Sequence, residues 1–145
     1  MIQSAEEFVR LRTSDDPDEY TRAAREEATE AVWLDVIARF PEMRSWVAHN
    51  KTVPHSILRI LSDDPDFIVR VSVAEKRKAE PDILDKLVHD PNEGVRARVA
   101  CNAKAPLWVL EKLTHDPVRR IAETARERIA ERMAREAKRS QERPR

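Results

Sequence analysis

The sequence predicts an all-α fold, a right-handed α-solenoid of about five helix pairs, and three observations predict it. Ala, Glu, Lys, Leu and Arg supply 70 of 145 residues, with 5% aromatics and one glycine, Gly94. That composition suits repeated helices and argues against sandwiches, barrels and glycine-rich nucleotide-binding folds. Prolines recur on a beat. Pro65, Pro91 and Pro117 are 26 residues apart, each after an aspartate (Asp64, Asp90, Asp116), and Pro41 and Pro17 precede Pro65 by 24 and 48. Apolar columns keep the same interval: Leu61, Leu87, Leu113; Val47-Ala48, Val73-Ala74, Val99-Ala100; Ile57-Leu58, Ile83-Leu84, Val109-Leu110. A fixed period of this length marks stacked supersecondary units that cannot bury their apolar stripes alone.

Each unit reads as two helices. Helix A starts near a proline, and helix B follows an Asp-Pro, with Asp capping the free amides and Pro at the first helical position. The first pair, about 4–14 and 17–28, fits the pattern least, with Phe8, Val9 and Leu11 as its apolar face. The second, about 29–39 and 41–49, puts Trp33 in the core column of Ile57 and Ile83. The third and fourth span about 54–63 with 65–76, and about 81–89 with 91–102. The fifth joins about 106–115 to a longer helix, about 117–139. There Ile121, Ala125, Ile129, Met133 and Ala137 form an i+4 stripe whose first half is expected to cap the core and whose end is expected to fray. Glu131 is expected to pair with Arg135. Residues 1–139 are thus expected to be a single helical-repeat domain, and 140–145 a basic, disordered tail.

Net charge is zero but polarised. Residues 1–48 carry 11 acids and 6 bases, and residues 117–145 carry 5 acids and 10 bases. This disfavours a globally basic nucleic-acid binder while permitting a basic local surface. Cys101 is the only cysteine, so no internal disulfide forms. The opening MIQSAEEFVR has no apolar core of a signal peptide, and no apolar run approaches a membrane span. A cytoplasmic protein without membrane association is expected.

The segment HDPNEGVRARVACNAKAPLWVLEKLTHDP and the unit before it resemble variant leucine-rich repeats and the related HEAT-like repeats. The shared pattern is DPxxxVRxxVAxN, a short linker, Pro, then LxxL, clear over about 50–117 and fainter over 17–49. Asn102 matches the pattern's Asn, and Lys76 replaces it one repeat earlier. The resemblance implies a binding scaffold. An iron–sulfur branch of the family carries an extra cysteine-rich segment that this chain lacks. The HEAT-like DNA alkyl-base glycosylases use an Asp beside aromatics in a basic groove, a group that matches no position here.

No catalytic constellation emerges, and neither enzyme activity nor a cofactor is expected. His89 and His115 occupy equivalent places in adjacent repeats, too far apart for one zinc, and suit helix C-terminal ends instead. His49 and His55 fare no better, and Cys101 has no base in register. The Asp-rich turns lack calcium-loop spacing and read as caps.

Surface features carry the functional reading. Lys76, Arg77 and Lys78, with Lys51 and Lys104, form a basic edge that suits helix ends or contacts an acidic partner. Arg70 and Arg96 form a ladder on helices B. Trp46 sits in the polar column of Ser72, Arg98 and Thr124, and Trp108 in that of Ser56 and Asp82. Each marks an interface or fills a gap between helices. The leading reading is a non-catalytic protein-interaction module that uses Trp46, Trp108, Arg70, Arg96, Lys76, Arg77 and Lys78. Inhibition of one protein partner, as by an immunity protein, is one job such a surface suits. The alternative is nucleic-acid binding through the basic edge and the C-terminal helix.

Overall fold

The structure, a computed structural model, describes residues 1–144. It is all-helical, with 67% helix, ten α-helices and no strand among the described residues. The chain separates into two compact units, Met1–Ala79 and a second that begins at Glu80.

The first unit holds α1 (Ala5–Arg12), α2 (Pro17–Arg25), α3 (Glu30–Arg39), α4 (Arg44–His49), α5 (His55–Leu61) and α6 (Phe67–Ala74). The second holds α7 (Pro81–Leu87), α8 (Glu93–Cys101), α9 (Leu107–Glu111) and α10 (Arg119–Glu142). Odd-numbered helices are the predicted helices A, and even-numbered ones the helices B. In the first unit α1, α3 and α5 pack in sequence, α4 packs on α6, and each odd helix packs on the even helix that follows. In the second, α7 packs on α9 and α8 on α10, with α7 on α8 and α9 on α10. The repeat columns form the core: Leu61, Leu87 and Leu113 are at most 1% exposed, as are the three Val-Ala pairs. Trp33 is fully buried, edge-on to Phe8 at 5.3 Å between ring centres.

The ends of the helices differ from the sequence expectation in an informative way. At α2, Asp16 caps and Pro17 is the first helical residue, as predicted. The helices α6, α8 and α10 instead begin two residues after the proline, at Phe67, Glu93 and Arg119. Asp64, Asp90 and Asp116 each accept from the amide two residues on, at 2.9 Å, closing a turn around the proline. The cap then falls to Asp66 in α6 and Asn92 in α8, while Val118 gives α10 no side-chain cap. Helices A are shorter than predicted. After Glu111 the amides of Lys112, Leu113 and Thr114 bond three residues back, a tightened turn that keeps Leu113 inside.

The position of the pattern's asparagine proves structural. Asn50 is fully buried. Its Nδ2 donates to the carbonyls of Ala23 (2.8 Å) and Glu26 (3.0 Å), and its Oδ1 accepts from the Thr52 amide (2.8 Å). It thereby ties the exit of α4 to the end of α2. Asn102 repeats the turn, accepting from the Lys104 amide at 2.9 Å.

The C-terminal helix departs from expectation as well. It stays helical through Glu142, so residues 140–142 do not join a disordered tail. Arg145, the last residue assigned to that tail, lies outside the described residues. The stripe leaves the core after its first half: Ile121 and Ala125 are buried, Ile129 is half-buried and Met133 is exposed. Glu131 pairs with Arg128 at 3.6 Å rather than with Arg135, which donates to the Glu131 carbonyl at 3.5 Å.

Leu87→Ala is expected to cost about 2–5 kcal/mol through lost burial and a residual cavity. Asn50→Ala should cost about 2–4 kcal/mol, because it removes three hydrogen bonds inside the fold and leaves the Glu26 carbonyl only its longer bond from the Thr52 hydroxyl, at 3.2 Å. Denaturant unfolding checks both; an Asn50→Ala midpoint at the wild-type value would show that water replaces the side chain freely.

Candidate functional site

The residues named from sequence divide into those that the fold engages internally and those that it leaves open. Arg70 and Arg96 belong to the first group. Arg70 Nη1 donates to the carbonyls of Asp64 (2.8 Å) and Pro65 (3.2 Å), and Arg96 Nη1 to those of Asp90 (2.8 Å) and Pro91 (3.4 Å). Arg96 also holds Asp116 with two bonds, Nε to Oδ2 at 2.8 Å and Nη2 to Oδ1 at 3.3 Å. Burial works to raise the Asp116 pKa, but the Arg96 hydrogen bond, the Val118 amide and the Arg96 charge outweigh it and hold the carboxyl below its usual range. Arg44, in the same column, donates to the Ile37 carbonyl at 2.9 Å and reaches Asp64 at 3.3 Å. This arginine column fastens the Asp-Pro turns at Asp64, Asp90 and Asp116 rather than standing out as a ladder of open donors.

The basic edge is likewise partly internal. Lys76 Nζ donates to the Asn50 carbonyl at 2.8 Å, and Lys78 Nζ to that of Lys51 at 3.0 Å. Both satisfy carbonyls just past the end of α4, where no intrahelical amide reaches. Burial lowers the pKa of both lysines. Lys76 is pushed down to about 8, with Lys78 and Lys51 adding to the effect. Arg77, between them, is exposed.

The tryptophans stay open. Trp108, on α9, is 48% exposed, with the Lys112 ammonium 5.6 Å from its ring centre one turn on. Trp46, on α4, is 36% exposed and belongs to a cluster. The Arg12 guanidinium lies over the Trp46 ring at 3.3 Å and within 4.2 Å of the Tyr20 ring centre. The His49 ring stands 5.5 Å from that of Trp46. These side chains, with Ala23 and Ala24 of α2, line a hollow of about 170 Å³ between successive helices B. Arg12 Nε is buried there without a hydrogen-bond partner. Burial lowers the His49 pKa; Glu75 opposes this, and Lys76 and Arg12 reinforce it.

The second unit has a hollow in the corresponding place. About 430 Å³ opens between α8 and α10, lined by Gly94, Ala97, Arg98, Cys101, Arg120 and Thr124 among others. Arg98 and Thr124 stand in the Trp46 column. No group of three or more His, Cys, Asp or Glu that could hold a metal occurs among the described residues. No helix is long and apolar enough to cross a membrane.

Sequence reasoning missed Arg12 and Tyr20. The one available signal was Tyr20, the only tyrosine, exposed on a strongly polar helix. Nothing along the chain joins Arg12 to Trp46, because their contact requires the end of α1 to fold onto α4. No family model, curated protein or solved structure matches the chain.

The lowered Lys76 pKa has a measurable consequence. Between pH 8 and 10.5 the unfolded chain keeps a proton that the folded chain has released, so stability attributable to this group rises with pH across that window. Below pH 8 both states hold the proton and the full cost is present. In Lys76→Met this titration is gone. The wild-type denaturation midpoint should therefore climb relative to the variant's between pH 7.5 and 10, and a constant difference would show that the ammonium is fully hydrated when folded.

Proposed function

We propose that the chain is a non-catalytic protein-interaction module. In this reading its helix pairs stack as a right-handed α-solenoid of the variant leucine-rich or HEAT-like kind, and helices B line the binding surface. One suitable role is inhibition of a single protein partner, in the manner of an immunity protein, within the cytoplasm. The order of packing supports the stacking: in each unit helices A neighbour helices A and helices B neighbour helices B. The hollows between helices B in both units support the choice of face.

The observation that carries the reading is the Arg12–Tyr20–Trp46 cluster. Trp, Tyr and Arg are the residues most enriched at the energetic centres of protein interfaces. Here they meet on an open surface, with the guanidinium carbon 3.3 Å from one ring centre and 4.2 Å from the other, and a buried Nε lacking an acceptor. Stacking fixes the guanidinium at little further entropic cost on binding. Nucleic-acid binding is the weaker alternative along the Lys76–Lys78 edge, because two of its three cations already serve backbone carbonyls.

The test is a partner recovered by cross-linking in the native host, with its affinity then measured for purified variants at two salt concentrations. Trp46→Ala and Arg12→Ala should each weaken binding by about thirtyfold or more, equivalent to roughly 2 kcal/mol. Replacing Lys76, Arg77 and Lys78 together should act modestly, chiefly on association rate. Loss confined to the triple variant, with a steep salt dependence and co-purifying nucleic acid, would overturn the proposal.

A further inference from the structure

The second unit carries a cationic hollow unrelated to the Trp46 surface. It lies between the linker 103–106 and the second half of α10 and encloses about 320 Å³. Four cations line it, Lys104, Arg132, Arg135 and Arg139, against one carboxylate, Glu136. The three arginines stand at i, i+3 and i+7, so one face of α10 presents them together.

Arg132 forms the floor. Its guanidinium donates to the carbonyls of Ala105, Ala103 (3.0 Å) and Asn102 (3.2 Å), which pins the linker to the helix. Capping explains Arg132, and the helix dipole suits Arg139 in the last turn. Neither explains why Lys104 and Arg135 face the same hollow. Elsewhere on α10, Arg119 pairs with Glu123 and Arg128 with Glu131. Lys104, Arg135 and Arg139 form no ion pair among the described residues. Like charges three and four residues apart destabilise a helix. Burial first, and then the Arg135 and Arg128 charges, lowers the Arg132 pKa.

We propose that this hollow binds the phosphate groups of a ligand, held by Lys104, Arg135 and Arg139 above the fixed guanidinium of Arg132. Three points select phosphate. The hollow carries an excess of three positive charges, more than a single carboxylate balances, whereas a phosphate group brings up to two negative charges and an oligophosphate more. Guanidinium forks match phosphate oxygens two at a time. No aromatic side chain lines the hollow, so nothing there stacks a base, and recognition is of phosphate alone. A free oligophosphate and a nucleic-acid backbone share that chemistry.

The experiment titrates the full chain with tripolyphosphate and, separately, with a single-stranded oligonucleotide. Calorimetry and the side-chain Nε–H resonances of arginine are the readouts. Saturable binding of either probe, with shifts at Arg135 and Arg139, is expected. Arg135→Gln with Arg139→Gln should weaken it by about tenfold or more, the scale of one lost charge-assisted hydrogen bond. Arg119→Gln, on the same helix but with a side chain 91% exposed, should leave it unchanged. Binding of tripolyphosphate alone identifies a free phosphate compound, and displacement of it by the oligonucleotide identifies a nucleic-acid backbone. Gln is a good helix former, so the variants should fold, and circular dichroism checks this. An equal loss in Arg119→Gln, equal affinity for hexaglutamate, or no saturation with either probe would overturn the proposal.

Discussion

Every helix leaves four amides and four carbonyls without intrahelical partners, and this chain is built almost wholly from helices too short to dilute that cost. Apart from α10, no α-helix exceeds ten residues, and α9 has five. The fold therefore depends on finding partners for helix ends. Aspartates close the turns that enter helices B, and Arg70 and Arg96 take the carbonyls of those same turns. Asn50, Lys76 and Arg132 take the carbonyls where helices B give out. Part of the 37% of residues that are charged serves these helix ends.

That constraint sorts the surface. A charged side chain that reaches a helix-end carbonyl is held by the fold, and its exposure or sign says little about a partner. Arg96 and Lys76 look like binding residues in one dimension and act as fasteners in three. What remains after the helix ends are satisfied is a shorter set: Arg12 beside its two rings, Trp108 on α9, Arg77, and Lys104, Arg135 and Arg139 around the linker after α8. Binding is more economically assigned to these, because using them breaks no contact that holds the fold.

The two remaining surfaces differ in physics. The Trp46 hollow is small, apolar on most sides and carries one stacked cation, a geometry whose strength comes from desolvating rings. The α10 hollow is larger, lacks aromatics and concentrates positive charge, so its strength is coulombic and screened by salt. The two surfaces are expected to respond to different partners and different conditions.

The repeat was legible in the sequence because burial acts on every unit alike. The Leu61, Leu87 and Leu113 column must be apolar wherever it recurs, so its period survives in one dimension and yields ten helices in order. The start of each helix was less legible, since an Asp-Pro can cap a helix or close the turn before it, and only the next residue's partner decides. Trp46 and Trp108 were legible as breaks in polar columns. Arg12 and Tyr20 were not, nor was the engagement of Lys76, Arg70 and Arg96, because a long side chain reaches about as far as the spacing between helices. Which carbonyl or ring it meets depends on how neighbouring helices pack. The sequence by itself determined the helices, their period and their buried columns through local propensity and burial. Tertiary structure alone decided which charges the fold consumes and which it leaves for a partner.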